Sequence, residues 1–230
     1  MKIKTNTYAE LGKFSKREQM VHRQLEARGI RDRQLLDAFL TVPRHIFVPE
    51  ESRERAYQDG PLSIGHHQTI SQPYVVALML EELRLKPAMH VLEIGSGSGY
   101  VCALLSLMVR RVTGIELEKE LVTDSIRSMN ALSLKNVRIY QGNGYEGYPP
   151  QAPYDAIIVS AAPPTFPEDL LRQLKPSGRM IIPVGEAEQE LFLYRQVKGS
   201  WKAENITEVR FVPLRAAPGS LATPADNTGV

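Results

Sequence analysis

The sequence predicts an α/β protein of the Rossmann-like type, a mostly parallel twisted sheet with helices on both faces and a C-terminal antiparallel hairpin. Three observations predict it. From Pro87 to Val184, short apolar runs alternate with helical stretches, the pattern of parallel strands covered on both faces. A glycine-rich turn, Gly95-Ser96-Gly97-Ser98-Gly99, follows the first of these runs, at the place where open α/β sheets bind ligands. Beyond Val184, two strand-like runs follow with no helix between them, so they are expected to pair antiparallel.

The elements follow in order. Met20, Val21, Leu25 and Ile30, then Leu35, Leu36, Phe39 and Leu40, predict two amphipathic helices. Residues 56–72 carry few apolar side chains but two histidines and two glycines, and read as a loop. Pro73 opens a third helix through Leu85, with Val76, Leu80 and Leu83 on one face. Strands are expected at residues 90–94, 111–115, 137–141, 156–160 and 180–184, with helices at 99–109, 119–132 and 167–174. The closing hairpin is expected from residues 190–197 and 206–214. From Ala217 the chain is small and polar and is expected to fray.

Composition narrows the class. The chain has 230 residues, 28 Lys and Arg against 26 Asp and Glu, a net charge of +2 and 43% hydrophobic residues. One domain of this size can bury its own core. No excess of basic charge supports a protein that lives by phosphate contacts, so no nucleic-acid partner is expected. The single cysteine, Cys102, excludes an internal disulfide framework and fits a reducing compartment. The apolar run at residues 100–109 is too short to cross a bilayer. The basic start MKIKTNTYAELGKFSKREQ has no apolar core after it, so no signal peptide is expected. A cytoplasmic monomer is the expectation.

The glycine turn carries the densest chemistry. Gly95 and Gly97 would let a ligand lie against bare backbone, although a tight turn alone also needs glycine. The dinucleotide fingerprint requires a sixth-position glycine, and here that residue is Tyr100. Glu93, two residues before the turn, would repel a pyrophosphate and suit a cationic amino group. Glu116, ending the next strand, is placed to accept from a ribose diol; capping the following helix is its structural alternative. A nucleoside with positive charge and no phosphate fits these facts, which points to S-adenosyl-L-methionine. After the third strand, Gly142-Asn143-Gly144 offers a side-chain amide for an adenine edge, or simply a turn.

Several separated blocks carry a family resemblance. They are Val42-Pro43-Arg44-His45-Ile46-Phe47-Val48-Pro49, Tyr57-Gln58-Asp59-Gly60-Pro61-Leu62 and Gln68-Thr69-Ile70-Ser71-Gln72-Pro73. GYEGYPPQAPYDAIIVSAAPP (residues 144–164) and Val209-Arg210-Phe211-Val212-Pro213-Leu214 complete the set. Together they resemble protein-L-isoaspartate O-methyltransferases. The resemblance implies a class I methyltransferase core at residues 86–216, which binds S-adenosyl-L-methionine through Glu93, Gly95, Ser96, Gly97, Glu116, Asn143 and Gly144. It implies a substrate-binding extension at residues 1–85 and a tail at 217–230, within one structural domain. The implied substrates are isoaspartyl-containing proteins and peptides, methylated on the α-carboxylate so that the ester can re-form a succinimide. Asn143 stands where the family usually has Asp, and His67 where it often has a small or polar residue.

The chemistry is consistent with the residues. A carboxylate with a pKa near roughly 4 is already a nucleophile at neutral pH and needs no general base. Ser71 is the residue expected to orient it, with a helix N-cap as the alternative role. Thr69, Ile70 and His66 are expected beside the substrate, and by resemblance Val212 and Leu214 form a wall against the peptide. No metal is expected, because His66-His67 lack spaced acidic or thiol partners in sequence. His22 and His45 read as surface or packing residues, Cys102 as a core thiol, and Trp201 as packing. Two alternatives stay open: a methyltransferase of another carboxylate substrate, or a cofactor-binding protein that has lost transfer.

Overall fold

The computed structural model describes residues 13–216; the fraying expected from Ala217 lies outside them. Helix α1 (Phe14–Met20) runs on through a π-helical turn (Val21–Leu25) and a 3-10 turn (Glu26–Arg28). Helix α2 (Arg33–Thr41) starts where the Asp32 carboxylate accepts from the Leu35 N–H at 3.0 Å, an N-cap that fixes the helix start. It buries Leu35, Leu36, Ala38 and Phe39. Helix α3 (Pro73–Glu82) opens on a proline, whose missing N–H costs nothing in a first turn.

The stretch expected to be a loop contains a small hairpin, β1 (Leu62–Gly65) with β2 (Gln68–Ile70). His66 and His67 form its two-residue turn at φ 52° and 57°. Positive φ at both central positions is the geometry that matches strand twist. Turn signals of the Asn-Gly kind are absent here, which is why the hairpin is hard to see in the sequence.

The main sheet comprises β3 (His90–Ile94), β4 (Arg111–Glu116), β5 (Val137–Gln141), β6 (Tyr154–Val159), β7 (Leu174–Gly185), β8 (Gln189–Val197) and β9 (Ser200–Val209). Its strand order is β5-β4-β3-β6-β7-β8-β9. The first five pair parallel, and β7, β8 and β9 form an antiparallel meander. Helices α4 (Tyr100–Met108) and α5 (Lys119–Ala131) make the crossovers. The chain order reverses at β3, so the crevice beyond its carboxyl end is the switch point.

Two expected elements shift. Residues 168–173 are a 3-10 segment, not part of an α-helix. The last strand is Ser200–Val209, and residues 210–214 leave the sheet. The tight turn at Lys198-Gly199, both at positive φ, starts β9 early and sets its register. Residues 212–214 instead run beside residue 162: the Ala162 N–H donates to Val212 O at 2.9 Å, and the Leu214 N–H to Ala162 O at 2.7 Å.

The N-terminal helices are part of the core. Met20, Leu35, Phe39, Val76 and Leu80 share one buried cluster with Val91, Leu104 and Val112. That is why the run from Tyr100 reads apolar all round: α4 is enclosed between sheet and N-terminal helices.

Candidate active site

The carboxyl ends of β3, β4, β5 and β6 open into one cleft of about 480 Å³, counting its mouth. Gly95 and Gly97 supply its floor, Ile115, Glu116 and Leu117 one wall, and Ser160 and Ala161 another. Gln68 and Thr69 from β2 close it from above, while Gly144 and residues 212–215 complete the rim. Six residues expected at the site from sequence therefore meet here with Glu116: Thr69, Gly95, Gly97, Gly144, Val212 and Leu214.

The turn is held by backbone geometry. Gly95 and Gly97 adopt φ of 74° and 51°, a region L side chains avoid. The Gly95 and Ser96 N–H groups donate to Ile115 O at 2.9 and 3.1 Å, which ties the turn to β4. Glu116 completes the tie. Its Oε2 accepts from the Gly97 N–H at 2.7 Å, and its Oε1 from the Leu117 and Glu118 N–H groups at 2.8 and 3.0 Å. The carboxylate is thus fixed at the cleft wall with lone pairs still available. It does not reach into helix α5, so the capping alternative is replaced by a loop-ordering role.

Other expected residues lie elsewhere. Glu93 is fully buried behind the cleft, where its Oε1 accepts from Ser160 Oγ at 3.0 Å and the buried Cys102 thiol lies beside it. Burial pushes its pKa up to about 8, so at neutral pH it is mostly a neutral acid, not the free anion expected from sequence. Ser160, which lines the cleft, connects it to the surface of the site. Ser96 is also buried, with its Oγ unpaired, and its side chain packs near the Cα of Gly114. Its contribution to the turn is backbone.

Asn143 takes its turn-forming alternative. Its Oδ1 accepts from the Tyr145 N–H at 3.2 Å and its Nδ2 donates to Glu146 at 2.9 Å, capping the 3-10 turn Gly144–Glu146. Ile70 is buried in the core, because alternation along β2 turns Thr69 outward and Ile70 inward. Ser71 is half-buried and its carbonyl accepts from Arg44 Nη2 at 2.7 Å. The residue flanking α3 is Gln72, without a side-chain cap, so Ser71 does not cap the helix. His66 sits exposed at the hairpin tip, and Glu118 and Glu120 place their donor atoms within 4.8 Å of it and of one another. These are the acidic partners that spacing along the chain did not reveal.

His45 is buried against the Tyr57 hydroxyl at 2.8 Å, and His22 is exposed beside Glu26. Sequence reasoning missed Gln68, Ile115, Leu117, Pro213 and Arg215 as lining residues. Ile115 and Leu117 flank the end of β4, a positional signal available once the strands were drawn. Arg215 pairs with Glu118 at 2.5 Å, a contact between residues 97 apart.

The donor set fits S-adenosyl-L-methionine. Bare glycine backbone leaves room for a flat nucleoside, and the Glu116 carboxylate suits hydroxyl donors. Among the described residues, the one cation lining the cleft, Arg215, is paired with Glu118.

Comparison with known proteins agrees with this geometry. Residues 15–218 match the family described as protein-L-isoaspartate(D-aspartate) O-methyltransferase. A protein-L-isoaspartate O-methyltransferase of Synechococcus sp. is 48% identical over 208 residues, which is 87% of this chain and 85% of the relative. One from Roseiflexus sp. is 48% identical over 191 residues, 83% of this chain and 88% of the relative. A solved protein-L-isoaspartate O-methyltransferase superposes with a TM-score of 0.78 at 31% identity, covering 86% of this chain and 65% of that one. A Plasmodium falciparum homologue, solved in complex with S-adenosyl-L-homocysteine, gives 0.76 at 30% identity and covers 86% of this chain and 98% of that one. With the glycine-turn cleft at the sheet's switch point and a match along nearly its whole described length, this chain belongs to the protein-L-isoaspartate(D-aspartate) O-methyltransferase family.

Proposed function

We infer that the chain transfers a methyl group from S-adenosyl-L-methionine to the α-carboxylate of L-isoaspartyl residues in damaged proteins. The observation that carries this is the cleft itself: the glycine turn, Glu116, Thr69, Val212 and Leu214 line one open-mouthed cleft. When bound, S-adenosyl-L-methionine supplies an electrophilic methyl on a positively charged sulfur.

The chain's own residues then have a limited task. Glu116 holds hydroxyl donors, and the open backbone at Gly95 and Gly97 admits the nucleoside. In this reading Thr69, which lines the cleft, and Ser71, two residues beyond it, orient the incoming carboxylate through hydroxyl and N–H donors. Val212 and Leu214 offer an apolar wall for the peptide. No side chain needs to take a proton, because the attacking carboxylate is ionised already. Charge is neutralised as the reacting groups combine, so alignment in a water-poor cleft is the main source of acceleration.

We place the protein as a cytoplasmic monomer without a nucleic-acid partner. A single buried cysteine and a net charge of +2 support this, and among the described residues no helix is long and apolar enough to cross a membrane. Methyl incorporation from labelled S-adenosyl-L-methionine tests the function. An isoaspartyl peptide should accept label and the matched aspartyl peptide should not. Equal labelling of both would assign the cleft to a different carboxylate, and cofactor binding without any labelling would make this a binding protein only.

A further inference from the structure

Arg44 is fully buried, yet among the described residues no carboxylate pairs with it. Its Nε donates to Ala56 O at 2.8 Å and its Nη2 to Ser71 O at 2.7 Å, while Nη1 has no partner. Its guanidinium carbon stands 5.0 Å from the centroid of the Tyr100 ring. Burial pulls its pKa down to about 10, so the side chain stays charged at neutral pH in a place where charge is costly. A buried cation with an unsatisfied donor is a poor choice for stability alone.

What the guanidinium joins gives it a use. Ser71 ends the segment that descends from β2 into α3, and its hydroxyl has no hydrogen bond of its own within the described residues. The Ser71 backbone sets where its Cβ and hydroxyl can reach, and Arg44 supplies the one side-chain donor that holds this backbone. Tyr100 is the first residue of α4, directly after the glycine turn. One rigid fork thus touches the residue two beyond cleft-lining Thr69 and the helix that starts at the glycine turn.

We propose that Arg44 is a positioning residue for methyl transfer, fixing the Ser71 backbone against the α4 start so that the serine hydroxyl meets the substrate carboxylate at the correct angle. This rests on Ser71 orienting the carboxylate. A lysine keeps the charge but cannot span two carbonyls with a planar fork, and a glutamine keeps a donor with a shorter reach.

The test is a double-mutant cycle on the full chain, with Arg44→Lys, Arg44→Gln, Ser71→Ala and the two combinations. Labelled isoaspartyl peptide gives kcat and KM, and calorimetry gives the S-adenosyl-L-methionine Kd. Each Arg44 variant should lower kcat by about 10-fold or more, as a misaligned reactant pair does, with the cofactor Kd within about 2-fold. In the Ser71→Ala background the same Arg44 substitution should change kcat by less than about 2-fold, because residues acting as one unit are not additive. Full multiplication of the two effects, an unchanged kcat in both Arg44 variants, or loss of folding in both would overturn the proposal and leave Arg44 a structural residue. If Ser71→Ala alone retains wild-type kcat, the Ser71 reading fails first and the two failures are told apart.

Discussion

The Glu116 carboxylate accepts the Gly97 N–H at 2.7 Å, and this contact joins the end of β4 to the glycine turn that follows β3. Two further N–H donors, from Leu117 and Glu118, hold its other oxygen. A carboxylate fixed by three backbone donors does not have to reorganise when a ligand arrives, which is the condition for a strong charged hydrogen bond.

Glu116→Ala should therefore weaken S-adenosyl-L-methionine binding by about 1.5–3 kcal/mol, the range for a hydrogen bond to a charged group. Glu116→Gln keeps one acceptor oxygen and should lose less. Isothermal calorimetry reads both, and an unchanged Kd in the alanine variant would remove Glu116 from the cofactor site.

Ser71→Ala separates an orienting role from a merely structural one. The serine hydroxyl has no bond within the described residues and Gln72 occupies the flanking position, so unfolding stability should move by less than about 0.5 kcal/mol. Turnover should fall by about 10- to 100-fold if the hydroxyl orients the carboxylate. A variant that unfolds earlier but turns over normally would return Ser71 to a purely structural role.

The rim has little slack at Gly144. A Cβ there would meet Ile94 Cγ2 at 2.7 Å and Leu214 Cδ1 at 2.9 Å, both in the smaller of the two buried clusters. Gly144→Ala should cost about 1–3 kcal/mol of stability by overpacking. Because Leu214 has to shift, the KM for isoaspartyl peptide should rise as well. Denaturant unfolding paired with peptide kinetics checks both, and an undisturbed KM would place Leu214 outside the substrate wall.

The parallel core was legible because β3 and β6 are buried almost throughout and read as near-continuous apolar runs, while edge strand β5 alternates buried and exposed residues; β3 and β5 fall at the residues expected. The β1–β2 hairpin was not, since two histidines occupy positive-φ positions that glycine or asparagine usually mark. The end of β9 was displaced because residues 210–214 keep strand-like composition while pairing with residue 162 outside the sheet. At the site, backbone roles followed from the glycine spacing and the strand ends. Side-chain roles were harder: Glu93 and Ser96 sit beside the turn in sequence, yet pleat and twist turn both into the core. The Arg44–Ser71 and Arg215–Glu118 contacts join residues far apart in the chain, so no local pattern could announce them.

Glu93 and His90 give the fold opposite responses to pH. Unfolded, Glu93 ionises near its ordinary value of 4.5, whereas the native state holds its proton up to about 8. Between those values the native protein binds the extra proton, so this residue makes stability fall as pH rises from about 5 to 8, by up to about 1.4 kcal/mol per pH unit. His90 acts on the other side. It is buried with Nε2 2.9 Å from Thr113 Oγ1, and burial holds its pKa down to about 4 against an ordinary 6.5. The unfolded chain takes up that proton first, so stability falls as pH drops from about 6.5 towards 4. Glu93→Gln should abolish the fall above pH 6.5 and steepen the rise between pH 4.5 and 6, where the two residues otherwise offset each other, since a neutral amide accepts the Ser160 hydroxyl without titrating. Urea unfolding at pH 4.5, 6 and 8 checks both changes: the interval from 6 to 8 reports mainly on Glu93, and the interval from 4.5 to 6 reports on both residues together. A variant that still loses stability between pH 6 and 8 as steeply as wild type would show that Glu93 is ionised in the native state, and the cleft would then carry the buried anion that its sequence position first suggested.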